Sequence, residues 1–310
     1  MQKENSTHLS ADYLLNNGVK MPRIGLGTFL ATGLEDLVYD AVKYGYRHID
    51  TARKYGNEKE IGAGLKKVFE NGAAQRSELF IVTRVWPDRL YDPEASLRES
   101  LADLGLDYVD LFLIHWPVGI FDPSIGRVTQ PALHVTWSKM EECIEKGLCR
   151  NIGVSNFNVQ ILLDLLSYAR YKPACNQVEL HPYLSQPDLV RFCLKNNIAP
   201  IAYSPLCGAS LEAFGEPFEK KRDIFNEKLL SSISEKYHKT VAQIVLNWHL
   251  SRGHTIVPKS SHTERIKENF DVFDFEMSDA DIELINDLNC NYRMIDPRQI
   301  TIFDFNPLFD

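Results

Sequence analysis

The sequence predicts an α/β protein, a (β/α)8 TIM barrel with an N-terminal β-hairpin cap and extra C-terminal helices. Three observations lead there. Strand-like apolar runs alternate with helix-patterned stretches, and eight such units can be counted, with strands near residues 24, 47, 81, 112, 152, 177, 201 and 256. Strands that alternate with helices pair in parallel, because each helix returns the chain to the start of the next strand. Finally, 310 residues without a linker, a low-complexity run or a composition break suit one closed eightfold barrel over residues 1–310.

The elements follow in order. Tyr13-Leu14-Leu15 and Met21-Pro22-Arg23-Ile24 flank Asn16-Asn17-Gly18, and Asn-Gly between short apolar runs signals a hairpin. Ile24-Gly25-Leu26-Gly27-Thr28 is the first barrel strand. Its Gly-x-Gly invites a dinucleotide-binding fingerprint, but the third glycine is missing and no helix opens behind it as that motif requires. From Leu34 the apolar positions Leu37, Val38, Ala41 and Val42 take helical spacing, and Gly45 stops the helix. The next strand ends at Asp50, and a helix covers 58–69. Leu79-Phe80-Ile81-Val82-Thr83 is a buried strand leading into Arg84-Val85-Trp86, with a helix over 93–104.

Strand 109–114 runs into His115-Trp116-Pro117; a loop of mixed character, 118–134, then precedes a helix over 135–147. Strand 150–154 ends at Ser155-Asn156 before helix 159–169, and strand 174–179 precedes His181-Pro182 and helix 186–196. Strand 199–203 ends in Ser204-Pro205-Leu206. A polar connection, 207–221, and two helical stretches lead to the last strand, Thr255-Ile256-Val257, followed by Pro258-Lys259-Ser260. Helices over 263–269 and 279–288 precede an irregular aromatic tail.

Composition narrows the function. A hydrophobic content of 44% with 25% charged residues is that of a soluble globular protein. The net charge of −8 argues against a nucleic-acid partner and gives no reason to expect an anionic membrane. The six cysteines have no CxxC and no regular spacing, so neither a metal site nor a disulfide framework is expected. No signal-like segment opens the chain and no apolar run reaches spanning length; a cytoplasmic protein is the expectation.

Active sites of such barrels sit where the strands end. Asp50, Arg84, His115, Ser155 with Asn156, Gln177, Tyr203, and Lys259 with Ser260 end seven successive strands. One shared site explains seven polar strand ends better than seven independent accidents. Phe29, Trp86, Trp116 and Phe121 are placed to wall a small substrate. Tyr55 stands five residues beyond Asp50 in a small-residue loop, an acid and a phenol on one rim.

Here the chain resembles the aldo-keto reductase family, over about residues 12–293. The matching stretches are Gly25-Leu26-Gly27-Thr28, Arg47-His48-Ile49-Asp50-Thr51-Ala52 with Tyr55-Gly56-Asn57-Glu58, and Leu113-Ile114-His115-Trp116-Pro117. Further along come Gly153-Val154-Ser155-Asn156-Phe157, Asn176-Gln177-Val178-Glu179-Leu180-His181-Pro182 and Ala202-Tyr203-Ser204-Pro205-Leu206, then Val257-Pro258-Lys259-Ser260 with Arg265-Ile266-Lys267-Glu268-Asn269. The resemblance implies an NADPH-dependent reductase of aldehydes or ketones, aldoses among them, with NADH as the lesser donor. It implies a monomer, a dimer being the alternative.

It also implies roles. Tyr55 is the proton donor, Asp50 tunes it and His115 orients the carbonyl. Ser155, Asn156 and Gln177 hold the nicotinamide carboxamide and Tyr203 stacks on its ring, with Thr28, Asp50, Ser204 and Leu206 completing that part of the cofactor set. Lys259, Ser260 and Arg265 match the 2′-phosphate site, and Glu268 and Asn269 the adenine contacts. The tail, 294–310, edges the substrate pocket. Arg84 departs from the pattern, which has a lysine there. Arginine keeps the charge and can grip a carboxylate with two nitrogens, but it is planar, bulkier and never deprotonated. Either Arg84 stands in for lysine in a working enzyme, or Tyr55 is displaced and the chain is a weak enzyme or an NADP(H)-binding sensor or regulatory protein.

Overall fold

The computed structural model describes residues 9–122, 124–208 and 222–296. Asp12–Leu14 (β1) and Lys20–Pro22 (β2) form the expected antiparallel hairpin, turning at Gly18 with φ 84°. Eight strands then build one parallel sheet: Leu26–Gly27 (β3), His48–Asp50 (β4), Phe80–Val85 (β5), Leu111–Ile114 (β6), Ile152–Ser155 (β9), Cys175–Glu179 (β10), Ala199–Tyr203 (β11) and Thr255–Ile256 (β12), neighbours in that order. The first and last strands meet. Gly25 N–H donates to the Ile256 carbonyl at 2.8 Å, Ile256 N–H to Arg23 O at 2.8 Å, and Gly27 N–H to Pro258 O at 3.0 Å. The sheet therefore closes into a barrel.

This seam explains the Gly-x-Gly. A Cβ on Gly25 would meet the His48 ring at 2.8 Å, and one on Gly27 the Val257 carbonyl at 2.6 Å. Gly27 lets two backbones approach at the seam and Gly25 makes room for the His48 ring, requirements of packing that involve no phosphate.

The helices are Leu34–Tyr44 (α1), Glu58–Glu70 (α2), Pro93–Leu104 (α3), Leu133–Glu145 (α4), Val159–Tyr168 (α5), Pro187–Lys195 (α6), Lys228–Tyr237 (α7), Val241–Ser251 (α8), Thr263–Phe270 (α9) and Asp279–Asn286 (α10). Gly45 ends α1 at φ 118°, and the Asp92 carboxylate caps α3 by accepting from Ala95 N–H. Two helices follow β11, and α10 follows the eighth unit, which supplies the extra C-terminal helices. Among the described residues no helix is long and apolar enough to cross a membrane.

One segment differs from its sequence reading. The loop after His115 contains a second hairpin, Ile120–Asp122 (β7) against Arg127–Thr129 (β8), with Asp122 Oδ1 accepting from Ser124 N–H at 2.9 Å in the turn. Three-residue strands are too short for alternation to show.

Strand pleating decides what the barrel encloses, since alternate residues face opposite sides. Ile49, Ile81, Phe112, Val154, Val178 and Ala202 point outward and pack under the helices. Phe80, Val82, Leu111, Leu113, Cys175 and Ile201 point inward. The hairpin residues Leu15 and Met21 join this inner cluster and plug the barrel floor. Continuing the inward parity by one step along each strand gives Asp50, Arg84, His115, Ser155, Gln177 and Tyr203. The apolar layer fills the bottom, so the polar residues meet at the top.

Candidate functional site

These side chains converge on a cavity of about 290 Å³ whose lining includes Tyr55, Arg84, His115, Asn156 and Lys259. Phe29, Trp86, Trp116 and Ile295 supply apolar wall. Its centre is a hydrogen-bonded ring. Arg84 Nη2 donates to Asp50 Oδ1 and, at 2.7 Å, to Gln177 Oε1; Gln177 Nε2 donates to Asp50 Oδ2 at 2.8 Å. Arg84 Nη1 reaches out of the ring and donates to the Tyr55 phenol oxygen at 2.5 Å. Asp50, Arg84 and Gln177 are buried, so the ion pair works in a medium of low polarity where charge-assisted bonds are strong.

Tyr55 ends the short 3₁₀ turn Arg53–Tyr55, held by its N–H to Ala52 O at 2.9 Å. Its ring packs 4.9 Å from Phe29 and 5.9 Å, edge on, from His115. Burial pushes the phenol above its ordinary value of 10.0, and the Arg84 charge pulls against that rise. The guanidinium is itself lowered by burial, but Asp50 and Tyr55 more than offset this and leave it raised, so it stays charged. His115 is driven well below 6.5, first by burial and then by the positive charges of Arg84 and Lys54, and is a neutral imidazole at physiological pH. Among the described residues its Nδ1 is buried without a partner. An unpaired lone pair there costs less than an unpaired N–H, which favours the tautomer with the proton on Nε2.

A second network forms the adjoining wall. Asn156, at a positive φ of 64°, donates from Nδ2 to His115 O at 2.9 Å and accepts at Oδ1 from the Tyr203 hydroxyl at 2.8 Å. Ser155 donates to Gln177 O at 2.8 Å. Thr28 donates to Asp50 O at 2.9 Å, and Ser204 and Leu206 line the same wall. The Gln177 amide is engaged by Asp50 and Arg84 and, among the described residues, keeps one N–H and one lone pair uncommitted.

At the far end Lys259 lines the cavity and is exposed, as is Arg265 on α9; among the described residues neither forms an ion pair. Ser260 lies beside them, its Oγ accepting from His262 N–H at 3.0 Å. Glu268 accepts from Thr240 Oγ1 at 2.7 Å, and Asn269 is buried on the same helix. Ser260, Arg265, Glu268 and Asn269 lie beyond the cavity lining.

One substrate-wall expectation is corrected. Phe121 does not line the cavity, because the hairpin places it half-buried on β7, opposite Val128. Of the tail, Ile295 lines the cavity; residues 297–310 lie outside the described ones.

Two residues escaped the sequence reading. Lys54 lines the cavity with its ammonium 5.2 Å from the Trp86 ring centroid. Glu179, fully buried at the end of β10, accepts the backbone N–H groups of Met294 at 2.7 Å and Ile295 at 2.9 Å, and so fixes the wall residue Ile295. Burial opposes its charge, but His181, Arg293 and the Met294 N–H hold its carboxyl below the usual range. Its strand-end position was the available signal.

Comparison with known proteins agrees with this geometry. The sequence model of the Aldo/keto reductase family matches residues 23–289. Aldose reductase B of Dictyostelium discoideum is 44% identical over 96% of this chain and 98% of its own length. The probable NAD(P)H-dependent D-xylose reductase xyl1 of Emericella nidulans is 39% identical, covering 93% of this chain and 98% of that one. The crystal structure of a Bombyx mori aldo-keto reductase in complex with NADP superposes with a TM-score of 0.83 at 36% identity, over 92% of this chain and 94% of that one.

Proposed function

The chain belongs to the aldo/keto reductase family, and we propose that it reduces aldehydes and ketones, aldoses among them, with NADPH as the preferred donor and NADH as a poorer one. The observation that carries this reading is the hydrogen bond from Arg84 to the Tyr55 oxygen inside a cavity that also holds His115. A phenol whose oxygen accepts from a fixed cation keeps its proton available for a substrate, and the phenolate left behind is stabilised where it forms.

The residues suit the cofactor. Lys259 and Arg265, exposed and without an ion pair among the described residues, have the charge a phosphate needs, with the Ser260 hydroxyl beside them. Gln177 keeps hydrogen-bonding capacity for a carboxamide, with Ser155 and Asn156 next to it, and Tyr203 offers a ring face. When bound, the reduced nicotinamide would supply the hydride to the carbonyl carbon. The protein does the rest. His115 donates from Nε2 to the carbonyl oxygen and fixes its direction, Tyr55 gives its proton to that oxygen, and Arg84, backed by Asp50, holds the phenolate charge until solvent returns the proton. Phe29, Trp86 and Trp116 keep water from competing.

Arg84 also supports a second reading, an NADP(H)-binding sensor or regulatory protein. The test is NADPH oxidation with a panel of small aldehydes and aldoses, parent beside Tyr55→Phe. Turnover by the parent that Tyr55→Phe abolishes supports the reductase. NADPH binding without turnover of any carbonyl leaves the sensor reading.

A further inference from the structure

We propose that Lys54 selects carbonyl substrates carrying an anionic group, a carboxylate or a phosphate, at the end remote from the carbonyl. The inference rests on the reductase reading and names its substrate class.

It begins with charge in the cavity wall. Among the described residues Asp50 is the one carboxylate in the lining, and it is already taken by Arg84 and Gln177. Three cations among the described residues line the same cavity: Arg84, which Asp50 neutralises, Lys259 at the phosphate end, and Lys54. Lys54 has no acidic partner among the described residues, although acids are near. Its chain neighbour Arg53 takes Glu99 at 2.5 Å and Asp103 at 3.6 Å, and Lys59 shares Asp103 at 4.0 Å. Glu99 and Asp103 thus serve Arg53 and Lys59, and the exposed Asp88 nearby forms no ion pair with Lys54, which leaves the Lys54 charge uncompensated among the described residues.

That charge is also placed. The ammonium sits 5.2 Å from the centroid of Trp86, and Trp86 stands edge on to His115 with ring centroids 4.8 Å apart. Cation–π contact restrains a side chain that would otherwise sweep solvent. A carbonyl at His115 and Tyr55 therefore has Trp86 in its wall, with the Lys54 ammonium held over that same ring. The aromatic wall lowers the local polarity and strengthens a bond between that ammonium and an anion. Lys54 is among the charges that push the His115 imidazole down, after burial and Arg84. A neutral substrate gains nothing from this cation, and a cationic one is repelled.

The experiment compares matched pairs: para-carboxybenzaldehyde with para-carbamoylbenzaldehyde, and glyceraldehyde phosphate with glyceraldehyde. The expected result is a kcat/KM ratio favouring the anion by roughly tenfold, since a hydrogen bond to a charged group at a partly exposed site is worth about one such factor. The ratio should shrink with added salt. Lys54→Met should bring it near one, Lys54→Arg should preserve it and Lys54→Glu should invert it. A response in one pair only assigns the anion as carboxylate or as phosphate. A parent that shows no preference in either pair, or a preference that survives Lys54→Met, overturns the proposal. If no carbonyl is turned over, the reductase reading fails separately. The anion preference is then read from quenching of tryptophan fluorescence by the two benzaldehydes, where equal affinities in the parent overturn it.

Discussion

The two ends of the cavity are built on opposite plans. At the catalytic end Asp50, Arg84 and Gln177 bind one another in a buried ring and hold Tyr55 from it. At the phosphate end Lys259 and Arg265 are exposed and form no ion pair among the described residues. A group that must keep one protonation state and one geometry through a reaction needs its partners inside the protein. A group that grips an arriving anion needs to be vacant until the anion comes. Substitutions at the first end should therefore damage chemistry and fold together, and those at the second only ligand affinity.

The sharpest division lies within the catalytic end itself. Tyr55→Phe removes the proton donor and leaves the ring, so kcat should fall roughly a hundred- to ten-thousandfold, with NADPH affinity by fluorescence titration unchanged. Arg84→Met should reach the fold as well. It leaves Asp50 buried with only Gln177, and breaking a buried pair costs about 3–5 kcal/mol, read as a lower denaturant midpoint. A stable Arg84→Met protein would break the comparison. At the other end, Lys259→Met should raise KM for NADPH roughly tenfold, leave KM for NADH nearly unchanged and shift stability by no more than about 0.5 kcal/mol.

The pH response is smaller still. The raised value of Tyr55 means the acid form persists below it and is lost only as pH climbs through it. Reduction should therefore show no alkaline decline attributable to Tyr55 until pH passes 10.0, the ordinary value from which it is raised. A decline centred below pH 10.0, absent in Tyr55→Phe, would mean Arg84 lowers the phenol more than burial lifts it.

Much of this was legible because two periodicities agree. Helix and strand patterning placed the eight units, and strand parity carried Asp50, Arg84, His115, Ser155, Gln177 and Tyr203 to the same rim. What stayed hidden depends on partners far apart in the chain. That Gln177 joins Arg84 and Asp50 is a contact across 93 and 127 residues, with no local trace. Lys54 reads as an ordinary charge until the structure shows Glu99 and Asp103 drawn to Arg53 and Lys59. The Gly25 and Gly27 pair resembled a phosphate loop because the sequence does not show Ile256 and Pro258 lying against it. Phe121 was misplaced because its three-residue strand carries no alternation to read.

The central claim is that Arg84, where the resemblance leads one to expect lysine, is a working brace for Tyr55. The direct test is single-turnover NADPH oxidation by the parent, Arg84→Lys and Arg84→Met on one aldehyde. The expected result is a parent within about tenfold of Arg84→Lys and an Arg84→Met rate lower by roughly a hundredfold or more, the scale on which misplaced catalytic groups fail. A parent that binds NADPH but stays silent, with Arg84→Lys restoring turnover, would contradict it.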